Sequence, residues 1–499
     1  MSPALHPIQF LLNDQSVTID TIAPSMTVLR YLREIRGLTG TKEGCAEGDC
    51  GACTVLIGER KGDDLQLRSV NACIQFVPTL HGKMLYTVEY LRQSDGELHP
   101  VQQAMVDCHG SQCGFCTPGF VMSLWGYYLD KQSQGTAPSK SELRTLLSGN
   151  LCRCTGYKPI LAAGIHMFGL PTKEYDKNDK LQQLDTLTAH LSDEDADHFR
   201  HDTGDYFAPH TLAQLLALRS QHPDSTLLAG CTDIGLWVNK QFRELNTIIY
   251  LGNVTALQQI EHSPQVIRIG AAVSLTDSYG ALAHYYPGIT ELWQRFASVP
   301  IRNAGTLVGN LANGSPIGDS APWLIAVGAR VELQNVDGQR TLALEELYTG
   351  YQQQARAKNE VITAVMVPLP TAQQRFRTWK VCKRYDSDIS AVCGAFQLTI
   401  THGVIDSARV AFGGMAATSK RATQCEAALN GKQWSQNSVE AAMRALDRDF
   451  TPLSDMRASA EYRSQIAKNL LYRFYLETRD DQPLNPLQTR AFTLAEQPS

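Results

Sequence analysis

Residues 43–55, EGCAEGDCGACTV, decide how the rest of the chain is read. Cys45, Cys50 and Cys53 in this stretch, with Cys73 further on, make a C-x4-C-x2-C-x19-C set, the thiol spacing of plant-type [2Fe–2S] sites. Three thiols share one tight loop, and the fourth comes from a distant strand to close the cage. The loop must wrap closely enough for backbone N–H groups to point at sulfur. Gly44, Gly48, Gly51 and Ala52 supply the small residues this needs. Structural zinc favours two C-x2-C knuckles around a compact spacer, which fits the x4 spacing poorly.

A second set lies downstream. Cys113 and Cys116 read C-x2-C, and Cys152 and Cys154 read C-x-C after a gap of 35 residues. Two sets of four thiols in one chain are read most simply as two metal centres. Spacing alone favours iron–sulfur for the second set without a rule that fixes it. Disulfides would need an oxidising compartment. The opening MSPALHPIQFLLND has neither a charged n-region nor a long apolar run, so no secretory signal is expected. No apolar run approaches the roughly 20 residues of a membrane span. The expected setting is therefore reducing and cytoplasmic. A net charge of −5 with no basic block points away from nucleic acid and membrane surfaces.

At 499 residues the chain is too long for one core. The pattern predicts a multidomain α+β protein. Residues 1–92 read as a ferredoxin-like β-grasp domain. IQFLL, a turn at Asn13–Asp14 and SVTI make a hairpin. Val28, Leu29, Leu32 and Ile35 follow at helical spacing, with Gly37 placed to end that helix. Thr54–Ile57 leaves the cysteine loop as a strand, and Val70–Phe76 carries the fourth thiol. Residues 93–170 read as helical. Phe120, Val121, Leu124 and Tyr128 form one apolar stripe, and Ser139 with Glu142 has capping-box spacing ahead of a helix closed by Gly149. Residues 171–204 are polar and read as a surface linker. Residues 205–374 are α/β and 375–480 α+β, with strands in GAFQLTI and VIDSARVAF and helices at Ser438–Leu446 and Ala458–Leu476. The tail, 481–499, is polar and expected to be mobile.

Two Gly-rich loops stand out in the α/β part. One is LLAGCTDIG, 227–235. The other includes RNAGTLVGNLANGSPIGD, 302–319. Small residues with Thr and Asn expose backbone N–H groups that suit a pyrophosphate without lysine charge. Each loop alone reads equally well as a tight strand-to-helix turn, and neither matches G-x-G-x-x-G or the P-loop.

Taken in order, EGCAEGDCGACTV, QCGFCTPGF (112–120), GNLCRCTGY (149–157) and the two Gly-rich loops resemble the small iron–sulfur/FAD subunits of bacterial xanthine dehydrogenases, in the molybdenum hydroxylase family. The resemblance covers nearly the whole chain. It implies that Cys113, Cys116, Cys152 and Cys154 hold a second [2Fe–2S] cluster, and that 205–374 binds FAD. Leu227, Leu228, Ala229, Gly230, Cys231, Thr232, Asp233 and Ile234 would wrap the cofactor's pyrophosphate and ribose. Phe296 would lie against it. Thr306, Leu307, Val308, Gly309 and Asn310 would line the diphosphate. Asp319 would sit near the adenosine side, and Ile362 and Lys380 near the flavin. Gln112 would reach the pterin of a molybdenum cofactor on a partner chain. Three residues depart from the family pattern: Val308 replaces a glycine, Cys231 a polar residue such as Asn, and Asp233 a frequent Glu.

The function implied is electron transfer. A large molybdenum-cofactor-binding partner would oxidise xanthine or hypoxanthine, and this chain would carry the electrons through both clusters to FAD and on to NAD. With the chain closing at Ser499, the molybdenum half is expected on that partner, in a heterotetramer or larger assembly. No acid–base or nucleophilic catalytic residue is expected here. Three alternatives stand beside this: the same kind of subunit for an aldehyde or other N-heterocycle, a stand-alone iron–sulfur flavoprotein reductase, and a zinc-binding scaffold. Cys108, Cys382, Cys393 and Cys425 read as packing thiols. His81, His99 and His109 read as solvated or core histidines.

Overall fold

The computed structural model describes residues 5–92, 96–131, 137–189, 191 and 195–490. The first sheet runs in the order Gln15–Ile19, Ile8–Leu12, Met84–Tyr86, Thr54–Lys61, Asp64–Asn71. Its hairpin turns on Asn13 and Asp14 at φ of 51° and 66°, the left-handed pair that matches strand twist. Ile8–Leu12 pairs in parallel with Met84–Tyr86, which closes the β-grasp over the helical segment. That segment starts at Thr27, whose side chain caps Arg30 N, and after Val28–Arg30 it widens into a π-turn over Tyr31–Ile35. Val28, Leu29 and Leu32 are buried. The wider turn rotates Ile35 out to solvent, against the expected stripe. Gly37 ends the segment at φ +67°. Cys73 also differs from expectation: its strand ends at Asn71, and the thiol stands on the turn beyond. Leu29 N–H to Ala72 O and Val28 N–H to Gln75 O fix that turn.

The helical region contains Pro100–Asp107, Thr117–Lys131, Lys140–Leu146 and Lys158–His166. Phe120, Val121, Leu124 and Tyr128 are all buried, and Ser139 and Glu142 make the reciprocal cap. Gly149 serves a purpose other than the expected cap. A Cβ there would lie 2.3 Å from Ser298 Cβ, so it permits contact with the domain that carries the Gly-rich loops. A cap of another kind stands at His99, whose Nδ1 accepts from Val101 N–H. Burial, with Lys173 adding, lowers its pKa to about 4 from an ordinary 6.5. The depressed value means the neutral form belongs to the folded state. Stability is thus complete above pH 6.5 and is lost as pH falls toward 4, by up to about 3 kcal/mol. In acid-titrated melts, His99→Asn should keep the cap and flatten that loss; an unchanged slope would sink the assignment.

The stretch expected to be a linker is structured. Lys177–Thr188 is a helix with Leu184 buried. Asp197–His201 is a strand of a four-stranded sheet in the order Asp197–His201, Gly204–Ala208, Thr247–Tyr250, Thr226–Leu228. A second, antiparallel sheet orders Ile260–His262, Val266–Gly270, Val361–Pro368, Arg330–Asn335 and Gly338–Ala343. The C-terminal sheet, Gln374–Val381, Val392–Thr401, Val404–Gly413 and Lys420–Arg421, is covered by helices Gln436–Asp449 and Ala460–Thr478. The described part of the tail folds back rather than trailing off: Thr489 bonds Glu477, and Arg490 pairs with Glu291 at 3.2 Å. Residues 491–499 of the tail lie outside the described residues.

Candidate iron–sulfur and flavin sites

The first four thiols converge. Cys50 N–H donates to Cys45 Sγ at 3.4 Å, and the Asn71 amide faces Cys53 Sγ at 3.8 Å. The thiols of Cys50 and Cys73, then the N–H groups of Glu47 and Cys50, hold Cys45 far below the usual thiol range. Cys53 is lowered by Cys73 and Asn71, while the same thiol contacts, with burial, raise Cys50 and Cys73. A loop that aims N–H donors at sulfur stabilises thiolate, the form that iron requires. Gly48 and Gly51 turn at φ of +79° and +70° to make that loop, and Ala46 shares the left-handed conformation at 55°. These residues fit a [2Fe–2S] cluster.

The second four also meet, in pairs: Cys116 with Cys152, and Cys113 with Cys154. Burial pushes the Cys116 thiol up to about 12. At Cys152 burial acts in the same direction, but the Thr155 hydroxyl at 3.2 Å and nearby backbone N–H groups outweigh it, and the thiol falls. Cys113, Cys154 and Gln112 are exposed, with Phe115 and Leu151 beside them. The two sets touch. Leu151 N–H donates to Cys50 O at 3.0 Å, and Asn150 Nδ2 to Gly51 O at 3.2 Å.

The two Gly-rich loops face each other across a cavity of about 630 Å³. Leu227, Ala229, Gly230, Cys231, Thr232, Asp233, Ile234, Phe296, Thr306, Gly309 and Asn310 line it. Gly230 allows the loops to meet, since a Cβ there would lie 2.0 Å from Ala304 O. Cys231 sits at φ 62°, a left-handed position where Asn is enriched, and burial pushes its thiol up to about 12. Asp233 is raised by burial, and its Oδ1 accepts from Asn313. The Thr306 hydroxyl is engaged with Gly309 N–H at 3.0 Å.

Other expected residues lie elsewhere. Leu228 and Leu307 are core residues. Val308 is helical, buried and free of positive φ, so this position does not require glycine. Ile362 and Val308 line a smaller adjoining cavity. Asp319 and Lys380, expected at opposite ends of the cofactor, are bonded to each other: Lys380 Nζ is 2.6 Å from Asp319 Oδ2 and 2.9 Å from Ser390 Oγ. Both are buried. Removing one partner of such a pair typically costs about 3–5 kcal/mol, because the other charge is left uncompensated. Lys380→Met should lower the unfolding free energy by about that much, and Lys380→Met with Asp319→Leu should recover most of it. A single variant as stable as wild type in denaturant titrations would refute this.

Sequence reasoning missed Trp237, Arg243, Gln352, Gln354 and Arg356, which complete the cavity from segments without a motif. It also misplaced Cys382. That thiol is in a polar setting, 3.2 Å from an Arg295 nitrogen and donating to Arg384 O. Cys393 and Cys425 are buried, and Cys108 is half-buried. His81 and His99 are buried.

The first thiol set abuts the cavity walls. Asn239 of helix Ile234–Gln241 donates to Cys73 O at 2.6 Å and Ala46 O at 3.1 Å. Gln75 donates to Gly230 O at 3.2 Å. A Cβ on Gly235 would lie 2.6 Å from Ile74 O.

Four family models tile the chain. They are a 2Fe-2S iron–sulfur cluster binding domain over 10–77, a [2Fe-2S] binding domain over 87–164, the FAD binding domain in molybdopterin dehydrogenase over 198–370, and the CO dehydrogenase flavoprotein C-terminal domain over 377–478. A xanthine dehydrogenase of Emericella nidulans is 32% identical over 94% of this chain and 38% of its own length. The xanthine dehydrogenase/oxidase of Gallus gallus is 29% identical over 94% of this chain and 40% of its own. The chain thus spans about two fifths of these relatives. Among solved structures, a carbon monoxide dehydrogenase chain from Hydrogenophaga pseudoflava superposes with a TM-score of 0.51 at 28% identity, over 54% of this chain and 94% of that one. The domain content defines an oxidoreductase of the iron–sulfur flavoprotein class. Within it, the chain's domains are similar to the iron–sulfur and FAD-binding part of molybdenum hydroxylases.

Proposed function

We propose that this chain is the electron-transfer subunit of a xanthine dehydrogenase-like molybdenum hydroxylase, taking electrons from a partner's molybdenum centre and delivering them to NAD. One observation carries the reading: an unbroken line of contacts runs from the exposed thiol set to the flavin cavity. Leu151 N–H meets Cys50 O beside Cys152, and beyond Cys50 the Cys73 turn is held by Asn239 and pressed on Gly235. The exposed end, at Gln112, Phe115 and Leu151, offers an apolar and polar face to a partner. Cys45, Cys50, Cys53 and Cys73 would hold the inner cluster, and Cys113, Cys116, Cys152 and Cys154 the outer one. The two Gly-rich loops would hold FAD. When bound, the clusters carry single electrons and the flavin gathers them in pairs, as a hydride acceptor requires. The chain's own residues position these groups, donate N–H bonds to sulfur and exclude water from the inner set.

The thiolate-rich ligand sets accord with a reducing, cytoplasmic setting. No helix among the described residues is long and apolar enough to cross a membrane. The deciding experiment is co-purification with metal analysis, followed by assay of the complex with xanthine and NAD. A molybdenum-containing partner and xanthine-dependent NAD reduction are expected. Turnover only on an aldehyde or another heterocycle would move the substrate assignment. A chain that purifies alone with full flavin turnover would instead be a self-sufficient reductase.

A further inference from the structure

The smaller cavity beside the flavin cavity, about 290 Å³, is lined by two arginines, Arg219 and Arg356, to which no carboxylate among the described residues is bonded. Arg219 is 4% exposed. Its Nη1 donates to Ser225 O at 2.7 Å and Ser225 Oγ at 3.0 Å, while its Nε has no hydrogen-bond partner among the described residues. Arg356 donates from Nη1 to Glu360 O at 2.8 Å and reaches Gln354 Oε1 at 3.4 Å. The nearest acids are committed elsewhere. Asp224 pairs with Lys358 at 2.6 Å, and the Glu360 carboxylate pairs with Arg340 at 2.6 Å. Burial, and then the repulsion of Arg356, lowers Arg219 to about 10.

A buried guanidinium, Arg219, beside a half-buried one, Arg356, is costly unless an anion joins them. The remaining walls are largely apolar and include Leu227, Trp237, Val308 and Ile362. Leu227, Trp237 and Arg356 line both cavities, which makes the slot a side extension of the space between the Gly-rich loops. An anion able to accept from two guanidinium forks at once is a phosphoryl group rather than a single halide.

We propose that Arg219 and Arg356 bind a phosphoryl anion in this slot, carried either by the flavin nucleotide or by a free phosphate ion. The flavin arm of the inference rests on the function proposed above; the phosphate arm does not. The test uses the full chain and the variants Arg219→Gln, Arg356→Gln and Arg356→Lys. Flavin dissociation is followed by fluorescence on release, and melting of flavin-loaded protein is followed with and without inorganic phosphate. Iron content and cluster absorbance report that each variant is folded. If the flavin supplies the anion, both Gln variants weaken flavin binding by about tenfold or more, and Arg356→Lys by less. If a free ion supplies it, flavin affinity stays at the wild-type level, and the melting rise that phosphate produces in wild type disappears in the Gln variants. Folded Gln variants that match wild type in both measurements overturn the proposal. A wild-type chain that takes up no flavin would overturn the function above, and the phosphate titration would still decide this site.

Discussion

Gly230→Ala is expected to yield protein that keeps both iron–sulfur signals and has lost its flavin. The added methyl would lie 2.0 Å from Ala304 O and 2.6 Å from Gly305 Cα. Both neighbours are backbone, so no side chain can swing away to relieve the contact. The two Gly-rich loops must separate, and the cavity they line between Leu227 and Asn310 opens with them. Overpacking of this kind typically costs about 1–3 kcal/mol, so flavin affinity should fall roughly tenfold to a hundredfold. Gly235→Ala is the contrasting variant, because its methyl would strike Ile74 O and disturb the seam with the inner thiol set instead. Flavin stoichiometry by absorbance, with electron paramagnetic resonance of the reduced protein, separates the two. Full flavin content in Gly230→Ala would refute the account.

Gly51→Ala should uncouple the two thiol sets. Gly51 holds φ +70°, where a side chain costs about 1–2 kcal/mol. Its new Cβ would also lie 2.2 Å from Gly149 O and 2.6 Å from Asn150 Nδ2. Strain and overpacking together predict a loss of about 2–5 kcal/mol, concentrated at the contact between the first domain and the helical domain. Leu151→Pro probes the same contact more locally. It deletes the N–H that meets Cys50 O, and Asn150 before it already has φ −113° and ψ 117°, which a following proline accepts. Both variants should slow reduction of the inner cluster by electrons entering at the outer one, as seen in rapid-mixing spectra. Wild-type transfer rates with an unchanged melting curve in Gly51→Ala would defeat the prediction.

Much of this was legible from the letters because thiol spacing and strand alternation are local. The three thiols Cys45, Cys50 and Cys53, the Asn13–Asp14 hairpin and the Ser139–Glu142 cap each depend on residues a few positions apart. What was not legible depends on distant pairs. Nothing in the order of residues tells that Lys380 closes on Asp319, 61 positions away, so resemblance placed them at separate ends of a cofactor. The polarity of 171–204 suggested a linker, yet burial of Leu184 and the ladder formed by Asp197–His201 fold it onto neighbours that lie outside the window of a local pattern. Ile35 was misjudged for a different reason, since a single π-turn shifts the phase on which helical spacing relies. Gln354 and Arg356 belong to a segment with no repeat or glycine signature, and only the cavity reveals them.

The unequal shelter of the two thiol sets has a practical corollary for handling the protein. Cys53 and Cys73 are 1% and 2% exposed, whereas Cys113 and Cys154 stand open to solvent. Damage by dioxygen and peroxide follows thiolate access. A preparation stored in air without a companion covering the Gln112 face should therefore bleach in two stages, shedding the outer half of its iron first. The ratio of the two spectroscopic signals then serves as a gauge of ageing, and of how much of the sample still sits in its native assembly.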